Sequence, residues 1–332
     1  MRLQPLLLLP VLLLTGCADS EIKPQSKDIF AMDTYMTVKV WSADSSLPDR
    51  AETEISRLEG IFSVNLDGSD VSRINTAHGE AVTVSPDTAA VMAEGLRIGN
   101  ESGGALDISL YPVSKLWGFT QPEQHVPEPD ALQDALQAVD FTKILQNGTT
   151  VTVPDGTELD LGALAKGYTG DRIIELFRES GAESAIISLG GNVQTLGTKP
   201  DGSLWTVGIA NPFAPNETLC SIRAGECAVI TSGNYERYFE ENGNRYHHIL
   251  DPSTGFPAEN GLVSVTVVGE CGLISDALST ALFVEGKDNA IAHWQKRQNF
   301  GMLLITDEPA VYYTPDLNPD IPSDIPAQEI SP

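Results

Sequence analysis

Apolar side chains recur along this chain at two spacings. Across Met36–Trp41 (MTVKVW), Met36, Val38 and Val40 alternate with polar neighbours, the period of a strand with one buried face. Over Pro48–Phe62, Ala51, Ile55, Leu58 and Phe62 fall three or four residues apart, which predicts a helix. Ser85-Pro86 predicts the start of a second helix, with a capping serine and a proline whose missing N–H costs nothing in the first turn. Asp130–Val139 reads as a third, and Val151–Val153 as a short strand after the Asn147-Gly148 turn. Ala165–Ser180 predicts a helix that stops at Gly181, and Ser275–Val284 another with Ser275 as its cap. Ser184–Leu189, Thr206–Ile209, Cys227–Thr231, Val263–Val268 and Gly301–Ile305 read as strands of a central sheet. No internal repeat interrupts this order. The pattern predicts an α+β (mixed α/β) fold and selects no topology.

The two ends read differently. Residues 1–16 (MRLQPLLLLPVLLLTG) carry one arginine and a leucine-rich run too short for a permanent membrane span, the proportions of a signal peptide. The run ends in Leu14-Thr15-Gly16-Cys17, which resembles the lipobox of bacterial lipoproteins. That resemblance implies cleavage before Cys17, lipid on its thiol, and a mature protein anchored in the cell envelope facing the periplasm. Ala18 is not the aspartate of a strict inner-membrane retention signal, so either membrane stays open. Residues 17–28 read as a lipidated polar tether and 314–332, rich in proline and acid, as a disordered tail. Residues 29–313 remain as the folded domain.

Composition narrows the chemistry. The 332 residues are 41% hydrophobic, enough for a sizeable core. Acids outnumber bases 46 to 20, a formal charge of −26 that repels phosphate backbones and argues against nucleic acid as a partner. The same charge would repel a dinucleotide unless a cation or a cluster of donors compensates. No C-x-x-C spacing supports a structural zinc site. Without Cys17, the three remaining cysteines, Cys220, Cys227 and Cys271, allow at most one internal disulfide.

Four constellations join polar residues to glycine. Gly162-Ala163-Leu164-Ala165-Lys166-Gly167-Tyr168 opens a helix after Asp160. Small residues there let backbone amides approach a phosphate and Lys166 adds charge, although the Walker spacing is absent and a tight turn explains the glycines equally simply. Ser188-Leu189-Gly190-Gly191-Asn192 ends a strand, where paired glycines suit either close ligand approach or a plain turn. His247-His248-Ile249-Leu250-Asp251-Pro252-Ser253-Thr254-Gly255 sets histidine beside aspartate, a base or an orienting group, or else a surface pair. In Ser275–Thr280, Asp276 and Thr280 stand i and i+4 on one helix face. A carboxylate and a hydroxyl so placed suit a hard cation such as Mg2+, or simply a helix N-terminus with a solvent-facing threonine.

Their order is recognisable. With Met32-Asp33-Thr34, Ser69–Asn75, Gly104–Ile108 followed by Leu116–Phe119, and Thr231–Tyr235, they make eight stretches over residues 30–305 that together resemble the ApbE family of periplasmic FAD:protein FMN transferases. The resemblance implies a single large domain with a central mixed sheet flanked by helices, T-fold-like. It implies an Mg2+-dependent enzyme that takes FAD as substrate, releases AMP and leaves FMN as a phosphodiester on a threonine of an acceptor flavoprotein. It also implies Asp276, Thr280 and the main-chain carbonyl of Ala163 as metal ligands. By the same resemblance, FAD contacts are expected at Met32, Ala105, Leu106, Asp107, Asp160, Lys166 and Leu250, and His248 matches the family's motif histidine, the candidate base for the acceptor hydroxyl. Two positions depart from the family pattern: Asp33 stands where many members have glycine, and Asn65 where an aromatic often covers the flavin. An FAD pyrophosphatase would use the same residues with water as acceptor. A flavin-storage lipoprotein would need neither the Asp276/Thr280 pair nor His248, and an envelope scaffold would leave the eight ordered stretches unexplained.

Overall fold

The computed structural model of the chain describes residues 23–121 and 123–332; the leader, the lipobox and Cys17 lie outside the described residues. The chain begins with strands β1 (Pro24–Ala31) and β2 (Thr34–Trp41), followed by helices α1 (Leu47–Phe62) and α2 (Asp70–Asn75). Strand β3 (Val82–Thr83) leads to helices α3 (Pro86–Glu101), α4 (Tyr111–Trp117) and α5 (Pro129–Leu136), then to β4 (Leu145–Asn147) and β5 (Thr150–Thr152). Helix α6 (Gly162–Glu179) precedes β6 (Ser184–Leu189), β7 (Asn192–Leu196), β8 (Trp205–Ala210), β9 (Thr218–Ala224), β10 (Ala228–Gly233), β11 (Tyr238–Glu241), β12 (Asn244–His247) and β13 (Leu262–Gly269). Helices α7 (Gly272–Glu285) and α8 (Lys287–Arg297) and strands β14 (Gly301–Thr306), β15 (Val311–Tyr313) and β16 (Ala327–Glu329) complete it.

One nine-stranded sheet organises the molecule, in the order β1-β2-β6-β7-β10-β13-β14-β15-β16. Its neighbours run antiparallel except β15 and β16, which are parallel, so the sheet is mixed. The alternation read in Met36–Trp41 puts Met36, Val38 and Val40 against Ile173 and Phe177 of α6 and Ile55 of α1, all essentially inaccessible to solvent. Burying each such side chain contributes about 1.5–3 kcal/mol. Farther along the sheet, Leu278, Ala281 and Leu282 of α7 pack with Val265, Val267, Met302 and Leu304. The β8–β9 ribbon covers the opposite face through Val207, Ile209 and Ile222.

Local signals account for the helix starts. Ser85 caps α3 by accepting the Thr88 N–H at 3.1 Å, and the buried Asp70 carboxylate accepts the Ser85 N–H at 2.7 Å. Helix α7 has no cap of its own. Asp171, from the middle of α6, accepts the N–H groups of Gly272 at 2.7 Å and Leu273 at 2.9 Å. Ser275, expected as the cap, lies inside this helix, because the cap comes from a residue distant in sequence.

Three other expectations are corrected. The tether predicted over 17–28 includes the start of β1, which from Pro24 pairs along its whole length with β2. Only Ile29 and Ala31 face the core, so an edge strand has the polar composition of a linker. The tail predicted as disordered over 314–332 carries β16. Its prolines cannot form a core, but Leu317 and Ile330 are buried singly, Ile330 N–H donates to the Tyr313 carbonyl at 2.8 Å, and Ser221 and Asp320 bridge main chain to main chain. Thr206–Ile209 is a strand, but it pairs only within the β8–β9 ribbon and lies outside the central sheet. Cys220, Cys227 and Cys271 are all free thiols.

Candidate functional site

The site is built where α6 crosses α7. A β-carbon on Gly167 would sit 2.2 Å from the Gly272 carbonyl oxygen and 2.6 Å from Asp276 Cβ, so only glycine permits this approach. Gln194 of β7 locks the crossing by donating to the Gly167 carbonyl at 2.9 Å. The approach drives Asp276 into α6, where Oδ2 accepts the Gly167 N–H at 2.8 Å. In an uninterrupted helix that N–H belongs to the carbonyl of Ala163, four residues earlier. Asp276 and the Ala163 carbonyl are therefore neighbouring acceptors.

One turn along α7, Thr280 Oγ1 lies 3.3 Å from Ser232 Oγ, which in turn contacts Ser279 Oγ at 2.8 Å. Asp276 is 3% exposed, and burial pushes its carboxyl above the usual range, opposed by the charge of Lys166 and the Gly167 N–H. Asn192, 2% exposed, sits close enough for its side-chain amide to favour the charged Asp276 carboxylate, but the amide nitrogen makes no hydrogen bond of good geometry. A buried carboxylate, a hydroxyl and a main-chain carbonyl are all hard oxygens, and the under-neutralised carboxylate fits a divalent cation of the Mg2+ type.

His248 approaches from a hairpin. β11 and β12 pair Tyr238 with His247, so the next rung sets Arg237 opposite His248. The His248 N–H donates to the Arg237 carbonyl at 3.0 Å, and the ring Nδ1 lies 3.2 Å from the same oxygen. A carbonyl can only accept, so Nδ1 carries the proton and Nε2 keeps its lone pair. Burial, reinforced by the charges of Arg237 and Lys166, pushes the ring pKa down to about 3. The imidazole is neutral throughout the physiological range.

The Arg237 guanidinium reaches the Met32 and Asp33 carbonyls at 3.5 and 3.3 Å. These two residues form the β1–β2 turn, with φ of 50° and 55°, and Ala31 pairs directly with Thr34. Positive φ at both turn residues matches the hairpin twist but strains non-glycine residues. Glu59 Oε1 holds the turn by accepting the Met32 N–H at 2.6 Å. Gly190 packs behind it, where a β-carbon would meet Thr34 Oγ1 at 2.5 Å.

Lys166 links the remaining groups. Its charge acts on Asp160, Glu236, His248 and Asp276 alike, so these side chains gather around it. Asp160 and His248 are half-buried, as groups on a cleft wall are, while Glu236 is exposed to solvent with protein packed densely around it. Burial pushes Asp160 upward despite the Gly162 N–H at 2.7 Å, and raises Glu236 to about 7.

The structure thus brings Met32, Asp160, Ala163, Lys166, His248, Asp276 and Thr280 around one opening. Leu106 and Leu250 are buried in apolar clusters, Leu250 beside Val113, Trp117 and Leu132. Asp107 is occupied by the Ser109 N–H at 2.7 Å, the Ser109 hydroxyl and the more distant Phe141 N–H, and burial raises its carboxyl. Ala105 is half-buried in the same loop, which the Asp160 N–H ties down by donating to the Ile108 carbonyl at 2.9 Å. Contact from Leu106 or Leu250 to a ligand would come through the main chain. Sequence reading missed Glu59, Glu236 and Arg237; the last two directly follow the stretch Thr231–Tyr235, but nothing in their spacing marks them.

A cavity of about 900 Å3 opens elsewhere, beside α8 and Asn299–Gly301. Its arginines are already paired, Arg97 with Glu94 and Arg297 with Glu101, which leaves it without the free positive charge of the cleft.

Residues 32–304 match the ApbE family. The chain is similar to the FAD:protein FMN transferase of Klebsiella pneumoniae (strain 342), with 35% identity over 292 residues, 86% of this chain and 90% of that relative. It is equally similar, at 35% identity over 82% of each chain, to the FAD:protein FMN transferase of Treponema pallidum (strain Nichols). Among solved structures, the ApbE protein of Thermotoga maritima superposes with a TM-score of 0.82 at 31% identity, covering 87% of this chain and 96% of the other. The flavin transferase ApbE of Vibrio cholerae gives 0.80 at 28% identity, covering 88% and 97%.

Proposed function

The chain belongs to the ApbE family and is an FAD:protein FMN transferase, and from that premise we propose that it transfers FMN to a threonine hydroxyl of its acceptor, releases AMP and requires Mg2+. The observation that carries this reading is the convergence of Lys166, His248 and the Asp276–Thr280 face on one cleft. The threonine oxygen attacks the FMN phosphorus, the bond to the bridging oxygen breaks, and AMP leaves with that oxygen. His248 Nε2 takes the hydroxyl proton, its lone pair being free because Nδ1 is committed to the Arg237 carbonyl. Burial and the positive charges of Lys166 and Arg237 weaken the base, and an incoming pyrophosphate strengthens it by offsetting those charges. Lys166 draws the diphosphate into a protein whose overall charge of −26 would otherwise repel it.

Asp276, Thr280 and the Ala163 carbonyl would hold the ion. Bound there, Mg2+ supplies the charge neutralisation that phosphoryl transfer needs. We further read Leu14–Cys17 as a lipobox, with lipid on Cys17 anchoring the enzyme in the envelope on the periplasmic side. The test is mass spectrometry on residues 18–332 incubated with FAD, Mg2+ and a purified acceptor flavoprotein domain. A gain of one FMN on an acceptor threonine, with AMP released and both abolished by EDTA, is expected. FMN and AMP released while two acceptors stay unmodified would replace transfer with hydrolysis.

A further inference from the structure

Eight large hydrophobic side chains are exposed among the described residues. Phe30 and Tyr35 flank the Met32-Asp33 turn, Leu66 lies in the loop after α1, Tyr238 follows Arg237, and Phe256 closes the loop that begins at His248; the other three are Leu145, Leu204 and Phe213. Contacts join the segments bearing the first five around the cleft. Arg237 reaches the turn carbonyls and holds His248. The His248 ring meets Phe119 edge-on at 6.5 Å, and the next carbonyl, of Thr120, accepts from Asn65 beside Leu66 at 3.4 Å. Phe256 packs edge-on against Trp117, beneath Phe119. A charged cleft is therefore rimmed by apolar side chains.

The most exposed part of the rim is a cross-strand pair. Phe30 and Tyr35 face each other on β1 and β2, 65% and 80% exposed, with ring centroids 5.1 Å apart at 67°. The core-facing side of the hairpin is supplied by Ile29, Ala31 and Met36, so these two rings contribute nothing to the core. An apolar rim does not help to bind pyrophosphate, and exposed aromatic area has a hydration cost that a partner relieves. We propose that this rim, centred on Phe30 and Tyr35, docks the segment of the acceptor protein that carries the target threonine. This rests on the transferase reading: a protein acceptor must cross the rim to place its hydroxyl at His248. The exposed charges beside Phe30 and Tyr35 are Asp28 and Asp33, with Asp67 next to Leu66. Lys27 is paired with Asp49 and Glu52, the exposed Arg237 guanidinium is turned to the Met32 and Asp33 carbonyls, and Arg245 lies 4.1 Å over the Tyr238 ring and pairs with Glu240. With those cations engaged, the Phe30/Tyr35 centre of the rim is acidic, which disfavours an anionic lipid surface and suits a segment with apolar residues near its threonine and neutral or basic flanks.

The test compares F30S/Y35S with wild type in residues 18–332, using an acceptor domain that the wild type flavinylates. The KM for acceptor should rise tenfold or more, while kcat, the thermal melt and the FAD Kd from flavin fluorescence stay within twofold or a few degrees. Tyr35→Phe, which keeps the ring, should retain the wild-type acceptor KM. An unchanged acceptor KM in the double variant overturns the proposal. So does an equal loss of FAD affinity, which would place the rings in the flavin site. Lost self-association, or lost binding to anionic vesicles, with acceptor KM intact would reassign the patch to a second copy or to lipid and likewise overturn it. Failure of the wild type to modify any acceptor is a separate result, and refutes the transferase reading itself.

Discussion

Gly167→Ala tests whether the α6–α7 crossing fixes the site. In a helix interior the change ordinarily stabilises by about 1 kcal/mol, since glycine carries the larger entropy loss. At this position the new methyl would fall 2.2 Å from the Gly272 carbonyl oxygen and 2.7 Å from its carbon. Both are backbone atoms, so no rotamer change relieves the clash and the helices must part. Overpacking of that kind costs about 3 kcal/mol at the upper end of its range, which outweighs the propensity gain and leaves a net loss of about 2 kcal/mol. Gly60 is the control: it lies exposed within α1 with nothing within 4 Å of the added carbon, so Gly60→Ala should gain about 0.5–1 kcal/mol. Urea unfolding monitored by circular dichroism reads both as shifts in midpoint at constant slope. Because the methyl also lies 2.6 Å from Asp276 Cβ, Gly167→Ala should raise the Mg2+ concentration needed for half-maximal AMP release at least tenfold. A Gly167→Ala protein as stable as wild type, beside a stabilised Gly60→Ala, would refute the crossing as the element that positions Asp276.

Asp276→Ala and Thr280→Ala should each lose Mg2+-dependent AMP release by a hundredfold or more while keeping the far-ultraviolet spectrum; full activity in both would remove the metal assignment. His248→Ala should lower kcat for transfer by about 10²–10⁴-fold with FAD affinity nearly unchanged, and a pure affinity loss in FAD titrations would contradict the base role. His247, behind the site, is 5% exposed, and burial pushes its pKa from 6.5 to about 4. The unfolded chain takes up this proton near pH 6.5 and the folded protein only near 4, so acidification through that window favours unfolding by up to roughly 3 kcal/mol. His247→Phe, which keeps an aromatic ring against Phe283, should flatten that part of the stability–pH profile; an unchanged slope between pH 6.5 and 4 would show that the ring titrates alike in the folded and unfolded chain.

The sequence made legible what depends on neighbours in the chain. Alternation in MTVKVW and the three-four spacing of Ala51, Ile55, Leu58 and Phe62 reflect burial on one face, and both elements formed within a residue or two of expectation. The same logic failed where backbone pairing rather than composition creates order. β1 and β16 are polar because they lie at the two edges of the sheet, and an edge strand buries too little to leave a hydrophobic period. Within the site, Asp276 and Thr280 shared a visible helical spacing, but what makes Asp276 a buried, under-neutralised carboxylate is Gly167, 109 residues away. Arg237 shows the limit more sharply. As an arginine it is one exposed cation in an acidic chain, and its part in the cleft comes from a hairpin rung that sets its carbonyl under His248 and from a guanidinium that reaches the strained turn at Met32 and Asp33. Neither relation has a spacing, since one depends on the register of β11 with β12 and the other on the meeting of two hairpins more than 200 residues apart. Motif order picked out the residues proposed to meet ligand; the residues that aim them are legible only once the register is known.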